Sequence, residues 1–204
     1  NNTGIGHNTS SSTWKGLSGN SNGILYGPTW ENDYLKFDGE DDFVCFRPMN
    51  FTDKATFDIT MSINEIQSGS KAVFNNFEVG GLGLALVDGK PSFSVYINEA
   101  GKYIEANSST PLTVGQKTRI VGTYDGEKVC LYVDGELVAS TTQKGTIKQP
   151  EPNVPVVIGG NIIGGKIATN ENVNMNVYSA AVYDKVVWDV SAKRDNSILG
   201  WTQE

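Results

Sequence analysis

The chain has little of what most catalytic and cofactor sites are made from. Its 204 residues include one histidine, His7, and two cysteines, Cys45 and Cys130. A zinc-binding histidine cluster and a Ser/His/Asp set have no material to draw on, and a dense disulfide framework is excluded. Each cysteine sits inside an apolar alternating segment and reads as a reduced core thiol, with a disulfide between the two as the alternative. Basic residues are scarce as well: 16 Lys and Arg against 23 Asp and Glu leave a formal charge of −7. That balance opposes the counterion release on which phosphate-backbone binding depends, so nucleic acid is not an expected partner. No apolar run approaches the roughly 18 residues of a membrane span, and no basic-plus-apolar leader stands at the start, so membrane insertion is not expected either. Location has to be argued on other grounds.

What is present is a series of short alternating segments divided by turn chemistry, the pattern of an antiparallel sandwich. No long helical period, internal repeat or charge block marks a second domain, so residues 1–204 read as one domain. The polar stretch Asn1 to Ser12 reads as loop or partly disordered chain, and Trp14 with Leu17 as the anchor that follows it. Strands are expected at Ile24 to Tyr26, Tyr34 to Phe37, Phe43 to Phe46, Ala55 to Ile63, Ala72 to Val79, Gly83 to Val87 and Ser92 to Ile97. The second half adds Arg119 to Tyr124, Val129 to Val133, Leu137 to Thr142, Val156 to Ile158 and Val173 to Tyr183. In Ala55 to Ile63, Phe57, Ile59, Met61 and Ile63 alternate with Thr56, Asp58, Thr60 and Ser62, which is a strand with one buried face. Asp88-Gly89, Asp125-Gly126 and Asp134-Gly135 read as hairpin turns, and the last two write a three-stranded meander. Pro150, Pro152 and Pro155 make Gly145 to Pro155 a crossing loop, because proline cannot donate to a ladder.

Four segments in order resemble the laminin-G-like jelly-roll domains of the concanavalin A-like lectin/glucanase superfamily. They are Trp14-Lys-Gly-Leu-Ser-Gly-Asn, Tyr34-Leu-Lys-Phe-Asp-Gly, Thr123-Tyr-Asp-Gly through Leu131-Tyr-Val-Asp-Gly135, and Asn176-Val-Tyr-Ser-Ala-Ala-Val-Tyr-Asp184. The resemblance implies an all-β fold, an antiparallel concanavalin A-like sandwich. It departs from the family at Gly16, where an Asp is usual, and after Lys185. The first strand of the family is not matched, so a longer parent protein with other domains is expected. The Asn-Thr-Gly-x-Gly-His opening resembles domains of Gram-positive surface proteins and phage structural proteins, which implies an extracellular, cell-surface or virion setting.

Some members of the superfamily cleave polysaccharides, and a retaining hydrolase needs two carboxyl groups about 5 Å apart. Glu31 with Asp33, and Asp38 with Glu40 and Asp42, alternate, but the first pair lacks a third acid and the second set crosses a turn. No catalytic residues are therefore assigned. Sugar binding suits the composition better, because aromatic rings stack on pyranose faces while amides and hydroxyls hold the edges. The candidates are Trp30, Tyr34, Tyr96, Asn98, Tyr103 and Trp188, with Tyr96 and Asn98 on the face of their strand opposite Phe93, Val95 and Ile97. Asp38, Glu40, Asp41 and Asp42 carry two readings, a calcium site built from oxygen ligands or a charged turn that keeps an edge soluble. The expectation is a non-catalytic, lectin-like recognition module for a glycan or cell-surface polysaccharide. A structural or assembly domain without a small ligand is the alternative, and a polysaccharide-active enzyme the lesser one.

Overall fold

Period-two alternation lets each strand bury one face, and in this chain two such sheets close on one another. The computed structural model describes residues 10–16, 21–151, 154–168 and 170–187, with the backbone alone of 201–202. The strands in chain order begin with β1 (Thr13–Trp14), β2 (Gly23–Tyr26), β3 (Thr29–Trp30), β4 (Leu35–Asp38), β5 (Phe43–Pro48) and β6 (Ala55–Ile63). The middle of the chain forms β7 (Ser70–Asn75), β8 (Leu82–Val87), β9 (Lys90–Ile97), β10 (Lys102–Asn107), β11 (Thr118–Tyr124) and β12 (Lys128–Val133). It ends with β13 (Glu136–Thr142), β14 (Pro155–Ile158), β15 (Ile162–Ile163), β16 (Lys166–Ile167), β17 (Asn174–Tyr183) and β18 (Trp201–Thr202).

The front sheet runs β1-β2-β5-β14-β7-β8-β9-β10 and the back sheet β13-β12-β11-β6-β17-β4-β3, with β18 beside β17 and β15-β16 as a separate hairpin. Every pairing is antiparallel, and no helix occurs among the described residues. This is the all-β sandwich expected from the alternation. The core lies between the sheets, with the Phe57 ring at its centre against Phe51, Phe74 and Phe93. The back sheet comes close to Phe93 at Gly122, where a Cβ would lie 2.2 Å from the Phe93 ring.

The meander β11-β12-β13 forms as expected, but its two Asp-Gly turns differ. Asp134 and Gly135 both take positive φ, 50° and 89°, the backbone of a tight two-residue hairpin. At the other turn only Gly126 does so, and Asp125 instead accepts the Glu127 and Lys128 N–H groups on its carboxylate.

Four expectations need correction. Strand β10 is not among the expected strands, because only Ile104 and Ala106 of its six residues point inward, too few to show a period. Strand β7 stops at Asn75, since the Asn75 and Asn76 amides turn inward onto Gly160, Met49 and Leu82 backbone groups and end the ladder. The polar face of β6 is buried too. Asp58 pairs with Arg119, Thr56 bonds the Lys185 carbonyl and the Val187 N–H, and Ser62 meets the Tyr178 hydroxyl. Finally, Cys45 and Cys130 are free as expected, and Cys130 is buried, but Cys45 is only half-buried on the outer face of the front sheet and is not a core thiol. Burial pushes the Cys45 thiol up to about 11, which leaves it protonated at neutral pH.

Candidate functional site

Where β8, β9 and β10 lie side by side, the residues facing away from the core are small. Gly83 and Ala85 stand opposite Ser94 and Ser92, which in turn stand opposite Glu105 and Asn107. Small side chains on neighbouring strands leave a trough, and two segments raise its walls. One is the loop between β7 and β8, with Phe77, Glu78 and Val79; the other is the Asn161 to Ala168 segment carrying the β15-β16 hairpin, with Asn161 and Ile163. The resulting groove has a volume of about 400 Å³, within the usual range for small-molecule sites.

The walls are tied down. Glu78 Oε2 accepts the Gly164 N–H at 3.1 Å, Tyr103 donates its hydroxyl to the Gly80 carbonyl at 2.6 Å, and Gly81 donates to the Lys148 carbonyl. Between these anchors Val79 holds φ at 49°, a left-handed backbone that a β-branched residue adopts only under constraint. Its side chain is nevertheless 59% exposed at the groove. An apolar side chain kept strained and in solvent is a feature folding alone does not call for. Ile163 and Val87 line the same groove and are similarly open.

The polar complement is spare. Ser92 donates to Asn107 Oδ1, and Asn107 Nδ2 donates to Glu105 Oε2. Asn161 Nδ2 donates to Glu171 Oε2 at 3.1 Å, while its buried Oδ1 has no partner. Tyr103 meets Phe77 edge-on at 5.6 Å, and burial raises its phenol above the usual range, so it stays a hydroxyl.

The sequence-level candidates do not converge on one place. Tyr103 lines the groove. Tyr96 stands beside it, its ring 5.0 Å from Tyr103 and under the Lys148 ammonium at 4.7 Å, so the open stacking face expected of it is taken. Asn98 lies past the end of β9 and donates to Thr146 Oγ1. Tyr34 is on the back-sheet side, against Tyr178 at 5.6 Å. Trp30 is a correction: it is 4% exposed, packs edge-on against Trp14 and donates its indole N–H to the Ser11 carbonyl, so it is a core side chain. Trp188 lies outside the described residues. The groove residues that sequence reasoning missed are Phe77, Glu78, Val79, Glu105, Asn161 and Ile163. Glycine pairs bracket Asn161 to Ile163 in the sequence, as around a flexible segment, but nothing there signals a hairpin or which face it covers.

A second recess of about 620 Å³ opens among Asp53, Glu99, Asp125, Glu127, Lys144 and Thr146. Its acids serve their own loops: Glu99 accepts the Thr146 N–H, which holds its carboxyl below the usual range, and Asp125 caps the turn after it. The acidic turn after β4 brings Asp38, Asp41 and Asp42 oxygens within 4.8 Å of one another, and Glu40 is not part of that group. Two of these carboxylates also hold the turn, Asp42 accepting the Asp38 N–H and Asp38 accepting that of Glu40.

Burial pushes the Asp42 carboxyl up to about 6, the neighbouring Asp38 and Asp41 charges adding to the rise and the Asp38 N–H opposing it. The folded chain thus holds this proton more tightly than the unfolded chain. Its contribution to stability is full below about pH 4 and is lost as pH rises through about 6. Asp42→Asn keeps an acceptor for Asp38 and is expected to raise neutral-pH stability by on the order of 2 kcal/mol while flattening this pH dependence. Urea unfolding across that range checks it. Calcium added to a chelated sample tests the cluster itself: a rise in melting temperature abolished by Asp41→Asn would show binding, and no change would assign the carboxylates to the turn alone.

The two-sheet antiparallel sandwich is of the concanavalin A-like jelly-roll class. The profile of the concanavalin A-like lectin/glucanases superfamily matches residues 38–187, and the chain belongs to that family. No curated protein matches by sequence. Among solved structures, Trypanosoma rangeli sialidase bound to 2,3-difluorosialic acid aligns with a TM-score of 0.67 at 15% identity, covering 91% of this chain and 30% of the sialidase. The binding domain of Paraclostridial Mosquitocidal Protein 1 aligns at 0.61 and 14% identity, covering 83% of this chain and 44% of that one. The HCR/D W1238A mutant aligns at 0.63 and 14% identity, covering 86% and 47%. The chain therefore spans less than half of each, and at such identity the likeness is one of fold.

Proposed function

We propose that this domain is a non-catalytic recognition module that binds carbohydrate in the groove over β8, β9 and β10, as part of a cell-surface or virion protein. The observation that carries the reading is the strained, exposed Val79 held over a floor of small polar residues. Apolar walls suit the faces of a sugar ring, and the serine, carboxylate and amide oxygens suit its hydroxyls. The superfamily and the binding-domain neighbours agree with it.

Ser94→Trp is the decisive variant. Ser94 points out of the sheet into the groove, so an indole there fills the ligand's space without entering the core. Binding found on a glycan array is expected to fall at least about a hundredfold by calorimetry, with the melting temperature little changed. Unchanged affinity in this variant would move the site elsewhere, and a folded wild type silent across the array would remove the reading. Product release from a polysaccharide that Glu105→Gln abolishes would replace binding with catalysis. The assembly-domain reading has one observation in its favour: on the same sheet Tyr26 stacks on Phe43 at 4.7 Å, and Tyr26 and Ile24 are exposed. A stable multimer dissolved by Tyr26→Ser, together with the silent array, would make it the better one.

A further inference from the structure

We propose that the groove selects glycans carrying protonated amines, the amino sugars of deacetylated polysaccharides, over neutral and acidic ones. This rests on the carbohydrate reading above and adds the chemical class of the sugar. Donors and acceptors in the groove are unequally supplied. Among the described residues that line the groove, the charged ones are Glu78 and Glu105, with no lysine or arginine. Each carboxylate has one oxygen engaged by the chain itself, Glu78 by the Gly164 N–H and Glu105 by the Asn107 amide. A carboxylate offers about four lone-pair sites, so both retain acceptor capacity.

Of the remaining polar groups, the Ser70 and Ser94 hydroxyls can donate or accept, and the others offer a ligand no donor. Glu171 can only accept, which fixes the Asn161 amide with Nδ2 toward Glu171 and leaves Oδ1 as an acceptor without a partner on a residue 7% exposed. The hydroxyl protons of Ser92 and Tyr103 are directed at Asn107 Oδ1 and the Gly80 carbonyl, so neither faces a ligand. The groove thus presents two carboxylates with spare acceptor capacity, and negative charge, beside apolar walls. A sugar bearing an ammonium group supplies donors and the opposite charge, whereas a uronic or sialic acid brings a like charge to two carboxylates.

Calorimetry with glucosamine oligomers, their N-acetylated counterparts of equal length and an oligogalacturonate, at mildly acidic pH and at low and high salt, tests the selection. The glucosamine oligomer is expected to bind about tenfold more tightly than the acetylated one, the acidic oligomer most weakly, and the gap to shrink as salt screens it. In Glu78→Gln/Glu105→Gln, which keeps acceptors for Gly164 and Asn107, the gap is expected to close to about twofold. An acetylated or acidic oligomer that binds as tightly, and is blocked by Ser94→Trp, would overturn the selection and leave the carbohydrate reading standing. A preference that persists in Ser94→Trp would assign it to the chain's overall negative charge and overturn it as well. Absence of binding by every oligomer would remove both.

Discussion

Phe57→Ala is expected to destabilise the domain by about 3–5 kcal/mol, the range for removing a fully buried aromatic ring. Phe57 is fully buried on β6 and its ring meets Phe51 at 5.6 Å, Phe74 at 4.8 Å and Phe93 at 6.3 Å. Two of those partners belong to the front sheet and Phe57 to the back one, so this ring joins the layers. The cavity cannot close cheaply, because β6 is bonded on both sides, to β11 and β17, and cannot shift without breaking ladders. For a domain of this size the loss corresponds to a fall in melting temperature of about 10 °C. Phe93 lies between Ser92 and Ser94, so relaxation into the cavity reaches the groove floor and affinity is expected to weaken as well. Urea unfolding with an unchanged slope checks the first effect and calorimetry the second. A loss under about 1 kcal/mol would show that the layers repack.

The fold was legible because its signals are local. Ala55 to Ile63 carries its alternation in nine consecutive residues and forms over that same span. The Asp134-Gly135 dipeptide sets its hairpin through backbone preferences of its own. Strand β10 shows the limit: it is held by its register with β9, and a pattern of two inward residues does not reveal that. The site was much less legible for the same reason. Its floor comes from β8, β9 and β10, and its walls from residues 77–79 and 161–163, which meet because β14 and β7 are neighbours in the sheet. Sequence reasoning could place Ser92 and Ser94 on the side away from Phe93, but it favoured the large aromatics as ligands. Trp30 shows why that fails, since burying an indole is worth more to the fold than to a surface, and its N–H finds the Ser11 carbonyl inside. The strain at Val79 has no sequence signature at all, because loop anchors from Glu78, Gly80 and Gly81 impose it.

Asp58→Ala is expected to cost about 3 kcal/mol or more, because it breaks a desolvated, hydrogen-bonded charge pair. Arg119 reaches Asp58 with two bonds, Nε to Oδ1 at 3.2 Å and Nη2 to Oδ2 at 2.8 Å, and its side chain is only 15% exposed. The guanidinium keeps its charge, so removing Asp58 takes away two charge-assisted bonds that offset its desolvation. Replacing both partners with apolar residues of similar size, Asp58→Leu with Arg119→Met, is expected to restore most of the loss, because neither desolvated charge is then left. The pair lies on the outer face of the back sheet, with the core between it and the groove. Glycan affinity measured below the melting transition is accordingly expected to stay within about twofold in both variants, as for sites that share no partners. Recovery of stability in the double variant distinguishes a broken charge pair from a simple packing defect, which a second substitution would deepen. An affinity loss in Asp58→Ala comparable to that of Ser94→Trp would mean that the groove depends on the back sheet and that the binding surface extends through the core.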